Sequence, residues 1–352
     1  SAMDGYAVRA IDVAGASPEN PRSLKLQGVI AAGSPASEKL VAGSAIRIFT
    51  GSPMPEGADA VVMQEDTRPG DDGTVLVTDA LKPWENIRLK GEDVRRGAAI
   101  LSAGLRLNGP ALGLLAAVGV HELRVGRRPV VGLLATGDEL TDPGKPLPPG
   151  GIYESNRFML APMLADIGAD VRTFPRVADS GPATAAALKE AFAACDIVVT
   201  TGGVSVGDFD FVKPALIELG GQLDLWRVAI KPGKPFVLGR CGGKLLLGLP
   251  GNPVSALVTF LLLVRPAVIA WQGGSELGLP RHPGILKETL RNKGDRRHFM
   301  RVSVDRDGGV KQAGLQASHR LGELPQADGL VDVPPETTWP EGAPVMVLRW
   351  NE

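Results

Sequence analysis

With 352 residues and 38 Lys and Arg against 39 Asp and Glu, the chain has a net charge of −1, which leaves no electrostatic footprint for nucleic acid or an anionic membrane surface. Its 44% hydrophobic content supports sizeable cores, and its length suggests two or three domains. Cys195 and Cys241 each lie beside apolar strand-like residues and make no disulfide framework, so a reducing cytoplasm is expected. His121, His282, His298 and His319 lack metal-ligand spacing. No signal peptide is visible. The longest apolar run, residues 256–270, is interrupted by Arg265 and Pro266 and falls short of the roughly 20 apolar residues that a membrane span needs.

The chain opens SAMDGYAV, without an initiator Met, and a further N-terminal piece is expected ahead of it. Residues 1–95 are rich in Gly and Pro with short aliphatic runs, SAIRIF (44–49), ADAVVM (58–63) and TVLVTD (74–79), a spacing that predicts a mainly-β domain. Over residues 96–128 the character changes. LNGPALGLLAAVGV (107–120) predicts a helix with Pro110 near its start, in a helical linker domain whose remainder is expected before residue 1. Over residues 129–271 strand and helix alternate. PVVGLLAT (129–136), ADVRTFPRV (169–177), DIVVTT (196–201) and KLLLGLP (244–250) read as strands. SNRFMLAPMLADIGAD (155–170) reads as a helix with Ser155 as N-cap and Gly168 as stop. GPATAAALKEAFAACD (181–196), with Pro182 in its first turn, DFVKPALIELG (210–220) and NPVSALVTFLLLVRPAVIAW (252–271) are further helices. This alternation implies an α/β domain with a parallel sheet covered on both faces. Over residues 272–352 the helices stop. RHFMRVSVD (297–305), GGVKQAG (308–314) and APVMVLRW (343–350) predict a small β-barrel or sandwich.

In an open α/β sheet, ligands bind beyond the carboxyl ends of the strands. Three such ends carry unusual loops: TGDEL (136–140), TTGGVSVGDFDF (200–211) and GLPGNPVSA (248–256). In the second, Gly202 and Gly203 let backbone N–H groups crowd around an anion, whereas Asp208 and Asp210 repel one. The two features fit together if a divalent cation sits between a phosphate and the carboxylates. Mg²⁺ is the first choice, with Asp210 and then Glu139 as its carboxylates. RVAIKPGKPF (227–236) adds Lys231 and Lys234, which suit an oxyanion. Asn252 is expected to cap the last helix and Pro253 to open it, and a helix start is itself an anion site. Each loop also has a plainer reading: TGDEL as a turn with Asp138 capping a helix, KPGKP as a solvated hairpin tip, Asp208 and Asp210 as surface caps. The functional reading rests on their conjunction at one sheet edge. No Cys or His signature lies near these loops, which fits phosphoryl or anhydride chemistry run by positioning and electrostatics. GxGxxG is absent after the strands, and no Gly-Lys pair precedes Ser or Thr, which excludes a Walker A loop.

Taken in order, SAMDGYAVR (1–9), FTGSPMPEGADAVVMQE (49–65), GEDVRRG (91–97), TGDEL, TTGGVSVGDFDF, AIKPGKP (229–235) and GLPGNPVSA resemble the molybdopterin molybdenumtransferase family of the bacterial MoeA type, which is also similar to the C-terminal part of gephyrin. The resemblance covers essentially the whole chain. The glycine loop and LPGNP are shared with related molybdopterin-binding domains, whereas MDGYA, GEDV and KPGKP point to the molybdenum-inserting member. It implies Mg²⁺-dependent insertion of molybdate into adenylylated molybdopterin with release of AMP, by a homodimer that also meets the adenylyltransferase making its substrate. Matching positions attributed to catalysis are Asp4, Thr50, Asp93, Glu139, Asp179, Asp210 and Lys231. Those attributed to substrate binding are Gly202, Gly203, Ser205, Asp208, Pro250, Gly251, Asn252 and Pro253. The implied molybdate pocket is Lys231, Lys234, Pro235, Ser255, Arg301 and Ser318. Arg227 stands where the family often has Lys. The alternatives are the adenylyltransferase itself, normally a single α/β domain, and a gephyrin-like interaction scaffold. Tungstate and molybdate are indistinguishable from sequence.

Overall fold

Short aliphatic runs broken by Gly and Pro turns give the first of two units, Ser1–Ile100, a sheet rather than a helical fold. The computed structural model describes residues 1–35, 38–205, 207 and 210–350. In the first unit β1 (Gly5–Val8), β2 (Arg22–Ile30), β3 (Ser44–Ile48), β4 (Ala60–Met63), β5 (Thr67–Pro69) and β6 (Thr74–Val77) form one sheet in the order β4-β1-β3-β2-β6-β5. Only the β2–β3 pair is parallel. Successive side chains point to opposite faces, so Val8, Ala45 and Val62 fill one core and Ala7, Ile46 and Val61 another.

The second unit, Leu101–Glu352, opens with α1 (Gly109–Ala117), where Asn108 Oδ1 accepts from Ala111 N at 3.0 Å. Then follow β7 (Val130–Ala135), the short pair β8 (Leu140–Thr141) and β9 (Ile152–Tyr153), α2 (Asn156–Asp166), β10 (Asp170–Thr173), α3 (Gly181–Ala194) and β11 (Ile197–Thr201). Next come α4 (Val212–Glu218), β12 (Gln222–Trp226), β13 (Ile230–Lys231), β14 (Val237–Cys241), β15 (Lys244–Leu249), α5 (Pro253–Thr259) and α6 (Arg265–Trp271). The central sheet runs β10-β7-β11-β15-β14-β12. Its first four strands are parallel, as expected, but β14 is reversed and pairs antiparallel with both β15 and β12, so β12 again runs with the first four. The cause lies at Gly242 and Gly243, with φ of 56° and 77°, which let a two-residue turn fold β14 directly back along β15. On one face α2 and α5 pack Leu160, Leu164 and Leu257 against Leu133 and Val199. On the other, Leu188, Phe192 and Leu216 meet Leu134 and Val198.

Two caps differ from expectation. Ser155 makes no capping hydrogen bond; Glu154 Oε1 accepts from Arg157 N at 2.9 Å instead. Asn252 also makes none, and its amide turns to Ser318. A π-helical turn joins α5 to α6, so Pro253–Trp271 is one 19-residue helix, long and apolar enough to cross a membrane by length and composition. The interruption at Arg265 and Pro266 does not break it. Its apolarity is used internally, with Val254, Val258, Phe260, Leu261, Val264 and Val268 all buried in the core.

The chain ends with β16 (Arg281–Leu286), β17 (Leu290–Asn292), β18 (Arg297–Val304), β19 (Gly309–Gln312), β20 (Gly329–Val333), β21 (Thr337–Trp339) and β22 (Pro344–Arg349). The order β18-β19-β16-β22-β20 is closed by β20 pairing back onto β18, which makes a barrel rather than a sandwich. Leu286, Met300, Val302, Val331 and Val347 fill it. β13 adds to the outside of β18, with Lys231 opposite His298.

Candidate functional site

The chain leaves β7 for α2 on one face of the sheet and leaves β11 for α4 on the other. That divergence is a topological switch point, where a crevice opens past the strand ends. Thr136 N donates to Thr201 O and Gly202 N to Leu249 O, both at 3.0 Å, so the three loops after β7, β11 and β15 are tied side by side. Gly202 and Gly203 have φ of 86° and 65°. A Cβ on Gly202 would stand 2.7 Å from Thr136 O, so only glycine fits both the turn and the close approach. Asn156 Nδ2 donates to Gly251 O at 2.7 Å, which fastens α2 to the loop after β15. Thr136 Oγ1, Thr200 Oγ1 and Asn156 Oδ1 are buried near these strand ends with no hydrogen-bond partner among the described residues. Such orphaned groups are rare in ordinary cores and need an explanation.

The carboxylates differ in how free they are. Asp210 accepts from Ser205 N at 2.8 Å and from Gly207 N at 2.5 Å, so it clasps its own glycine loop. Lys213 Nζ donates to Ser205 O at 3.0 Å, stands 3.5 Å above the Trp226 ring, and has its pKa lowered by burial. Glu139 is exposed, and its carboxylate folds back over Gly137, 2.6 Å from where a Cβ would be. Asp179 Oδ2 accepts from Asp138 N at 3.2 Å and Asp179 N donates to Asp138 Oδ1 at 3.3 Å, which joins the turn before α3 to the TGDEL loop. Asp208 lies outside the described residues. Among the described residues no group of three or more His, Cys, Asp and Glu is arranged to hold a metal. Mg²⁺ commonly takes only one or two carboxylates with waters and substrate phosphates. Glu139, without a side-chain hydrogen bond to a described residue, fits such a role. Asp210 fits only through lone pairs its two amide donors leave over.

A cationic region lies against the start of α5. A Cβ on Gly233 would meet Thr259 Cγ2 at 2.5 Å and Ser255 O at 3.6 Å, so the KPGKP turn backs onto that helix. Lys231 and Lys234 are exposed, Pro235 is partly covered and Ser255 is buried. Ser318 O accepts from Val254 N at 3.1 Å, and Asn252 Nδ2 donates to Ser318 Oγ at 3.3 Å. One helix-start N–H is therefore already used by protein. Arg301 is 1% exposed, and its guanidinium donates to the Arg320 and Leu315 carbonyls on either side of Ser318. His298 is buried on β18, and burial, followed by Lys231, Arg296 and Arg301, pushes its pKa down to about 4.

Asp4, Thr50 and Asp93 belong to the first unit. Asp4 Oδ1 accepts from Thr50 N and Thr50 Oγ1, both at 2.7 Å; these bonds, helped by Arg47, hold its pKa below the usual carboxylate value. Asp93 is exposed in a loop. Thr136, Asn156, Asp138 and Lys213 escaped the sequence reading as site residues. The signal available for Thr136 was the change from apolar to polar at the end of PVVGLLAT, which marks the sheet edge.

Residues 1–119 match the family model for the MoeA N-terminal region (domain I and II), residues 132–270 that for a probable molybdopterin binding domain, and residues 283–350 that for the MoeA C-terminal region (domain IV). The switch-point crevice thus lies in an α/β domain of the molybdopterin-binding class. The molybdopterin molybdenumtransferase of Haemophilus influenzae is 41% identical over 324 residues, covering 91% of this chain and 79% of that protein. Molybdopterin molybdenumtransferase 2 of Mycobacterium tuberculosis is 40% identical over 340 residues, covering 95% and 84%. The crystal structure of a molybdopterin biosynthesis MoeA protein from Pyrococcus horikosii matches all of this chain and 87% of that one, with a TM-score of 0.80 at 32% identity. The chain belongs to the molybdopterin molybdenumtransferase family.

Proposed function

We propose that the protein inserts molybdate into adenylylated molybdopterin in a Mg²⁺-dependent reaction that releases AMP. The observation that carries this reading is the pairing of two anion-receiving places in the second unit: the Gly202–Gly203 turn at the switch point, and the KPGKP turn backed onto α5. The first suits the pyrophosphate of the substrate, received by Gly202, Gly203, Ser205, Gly251 and the Pro250–Asn252–Pro253 loop. Glu139 and Asp210 would hold Mg²⁺, which when bound supplies neutralisation of the pyrophosphate charge. Asp179 keeps the TGDEL turn in place through Asp138. The second suits molybdate as a substrate oxyanion, with Lys231 and Lys234 as its charges and Pro235, Ser255 and Ser318 as its walls.

The same reading makes the protein a cytoplasmic homodimer that receives its substrate from the adenylyltransferase, with Asp4, Thr50 and Asp93 serving the partner's site. Cys195 and Cys241 are free, as a reducing compartment requires. It divides the chain at 1–95, 96–128, 129–271 and 272–352, supported by the separate unit Ser1–Ile100 and by barrel strands that begin at Arg281. The test is AMP release from adenylylated molybdopterin, with and without molybdate, at fixed Mg²⁺. Release that needs both is expected. Pterin binding without release would favour the scaffold reading, and AMP transfer from ATP onto the pterin would favour the adenylyltransferase. Sedimentation at micromolar concentration should give a dimer, and a clean monomer would remove that part of the reading.

A further inference from the structure

Two arginines grip the turn that carries Glu139, one from each end. Arg157 lies in the first turn of α2 with its side chain 11% exposed. Its Nε donates to Glu154 Oε2 at 2.9 Å, its Nη1 to Phe174 O at 2.5 Å and its Nη2 to Asp142 Oδ1 at 3.0 Å. One guanidinium thus joins the residues that directly follow β8, β9 and β10. The Glu154 side chain is 1% exposed, and its other oxygen accepts from Arg157 N. Backbone bonds run the same way, Ile152 N to Glu139 O at 2.8 Å and Glu154 N to Thr141 O at 2.9 Å. At the other end Arg176 Nη1 donates to Gly137 O at 2.9 Å and to Asp138 O at 3.3 Å. Between these anchors Glu139 is exposed, its carboxylate left over for other partners. The neighbouring Asn156 holds Gly251 O, so the start of α2 sets the spacing between the TGDEL turn and the loop after β15. A planar fork reaches three segments at once, which a compact ammonium does not.

We infer that Arg157 and Arg176 are positioning residues: they fix the two ends of the TGDEL turn, and through it the place of the Glu139 carboxylate at the crevice. The inference rests on the reading in which Glu139 serves the Mg²⁺-dependent step. A carboxylate with free oxygens on a fixed backbone keeps its ligand capacity while losing positional freedom, which is what such a step requires.

The test uses Arg157→Lys, Asp142→Asn and Arg176→Gln in the full chain, with Glu139→Gln as reference. In AMP release at saturating pterin and molybdate, the Mg²⁺ concentration for half-maximal rate should rise about tenfold in each of the three, with the pterin KM within about twofold. Excess Mg²⁺ should restore most of their kcat but not that of Glu139→Gln. Arg157→Lys added to Glu139→Gln should cost less than the product of the two single effects. In the protein alone, amide hydrogen exchange over 137–142 should quicken about tenfold in Arg157→Lys and Arg176→Gln. Quickened exchange with an unchanged Mg²⁺ requirement would overturn the inference, because the grip would then serve stability alone. So would a raised Mg²⁺ requirement or pterin KM while 137–142 stays fully protected, because that result assigns the arginines a direct contact with the bound groups. If Arg157→Lys does not fold, Asp142→Asn and Arg176→Gln decide. If the parent protein releases no AMP, the proposed function falls. The exchange measurement still separates a gripped turn from a free one, and unchanged exchange would overturn the inference by itself.

Discussion

His298 shows what one buried side chain contributes. It lies among Lys231, Arg296 and Arg301, and its pKa of about 4 stands below the ordinary 6.5. Between those values the unfolded chain binds a proton that the folded protein refuses, so stability rises with pH across that window. The contribution is complete above about pH 6.5 and is lost as pH falls toward 4. Urea unfolding between pH 7 and 4 should show this loss, on the order of 2–3 kcal/mol at most. His298→Gln should flatten it; an unaltered slope would assign the loss to carboxylates such as Asp196, which Arg127 holds below its usual range. Asp210 calls for a different substitution. Both its oxygens accept backbone N–H bonds within the loop, and an amide side chain keeps one acceptor but loses the charge. Asp210→Asn should lower AMP release at least ~100-fold, with the melting temperature within a few degrees of the parent. Full activity would take Asp210 out of the mechanism.

Among the elements, the helix Pro253–Trp271 has most at stake. Phe260 is 1% exposed at its π-helical turn and packs in the core beneath the site. Phe260→Ala should cost about 3–5 kcal/mol by leaving a cavity; a loss below 1 kcal/mol in denaturant titration would mean that the core closes around the gap. The same helix shows how far periodicity and composition carry. Its existence and its start at Pro253 were legible, because apolar residues fill every turn and Pro suits the first position. Its capping was not, because Asn252 turns its amide to Ser318, 66 residues away in sequence. β12 and β14 went unread as strands for a related reason. QLDLW is short and mostly exposed, and its place at the sheet edge depends on pairing with β14 rather than on its own pattern. The glycine loops were legible because a positive φ needs a residue type that sequence displays directly. The burial of Arg301 was not, since its partners are backbone carbonyls that carry no side-chain signature.

For the whole molecule, the division into Ser1–Ile100 and Leu101–Glu352 gives each unit apolar clusters of its own. Sites assembled from strand ends therefore depend on sheets that are each filled from within. The barrel adds a property of another kind. β22 lies between β16 and β20, and β20 closes onto β18, so these five strands form a ring without an open border. Removing residues 344–352 would uncover two rows of unpaired N–H and C=O groups, one along β16 and one along β20. A chain shortened in that way should scatter light and form fibrils or amorphous particles at concentrations where the parent stays clear. Ring closure would then act as a safeguard against self-templating between molecules.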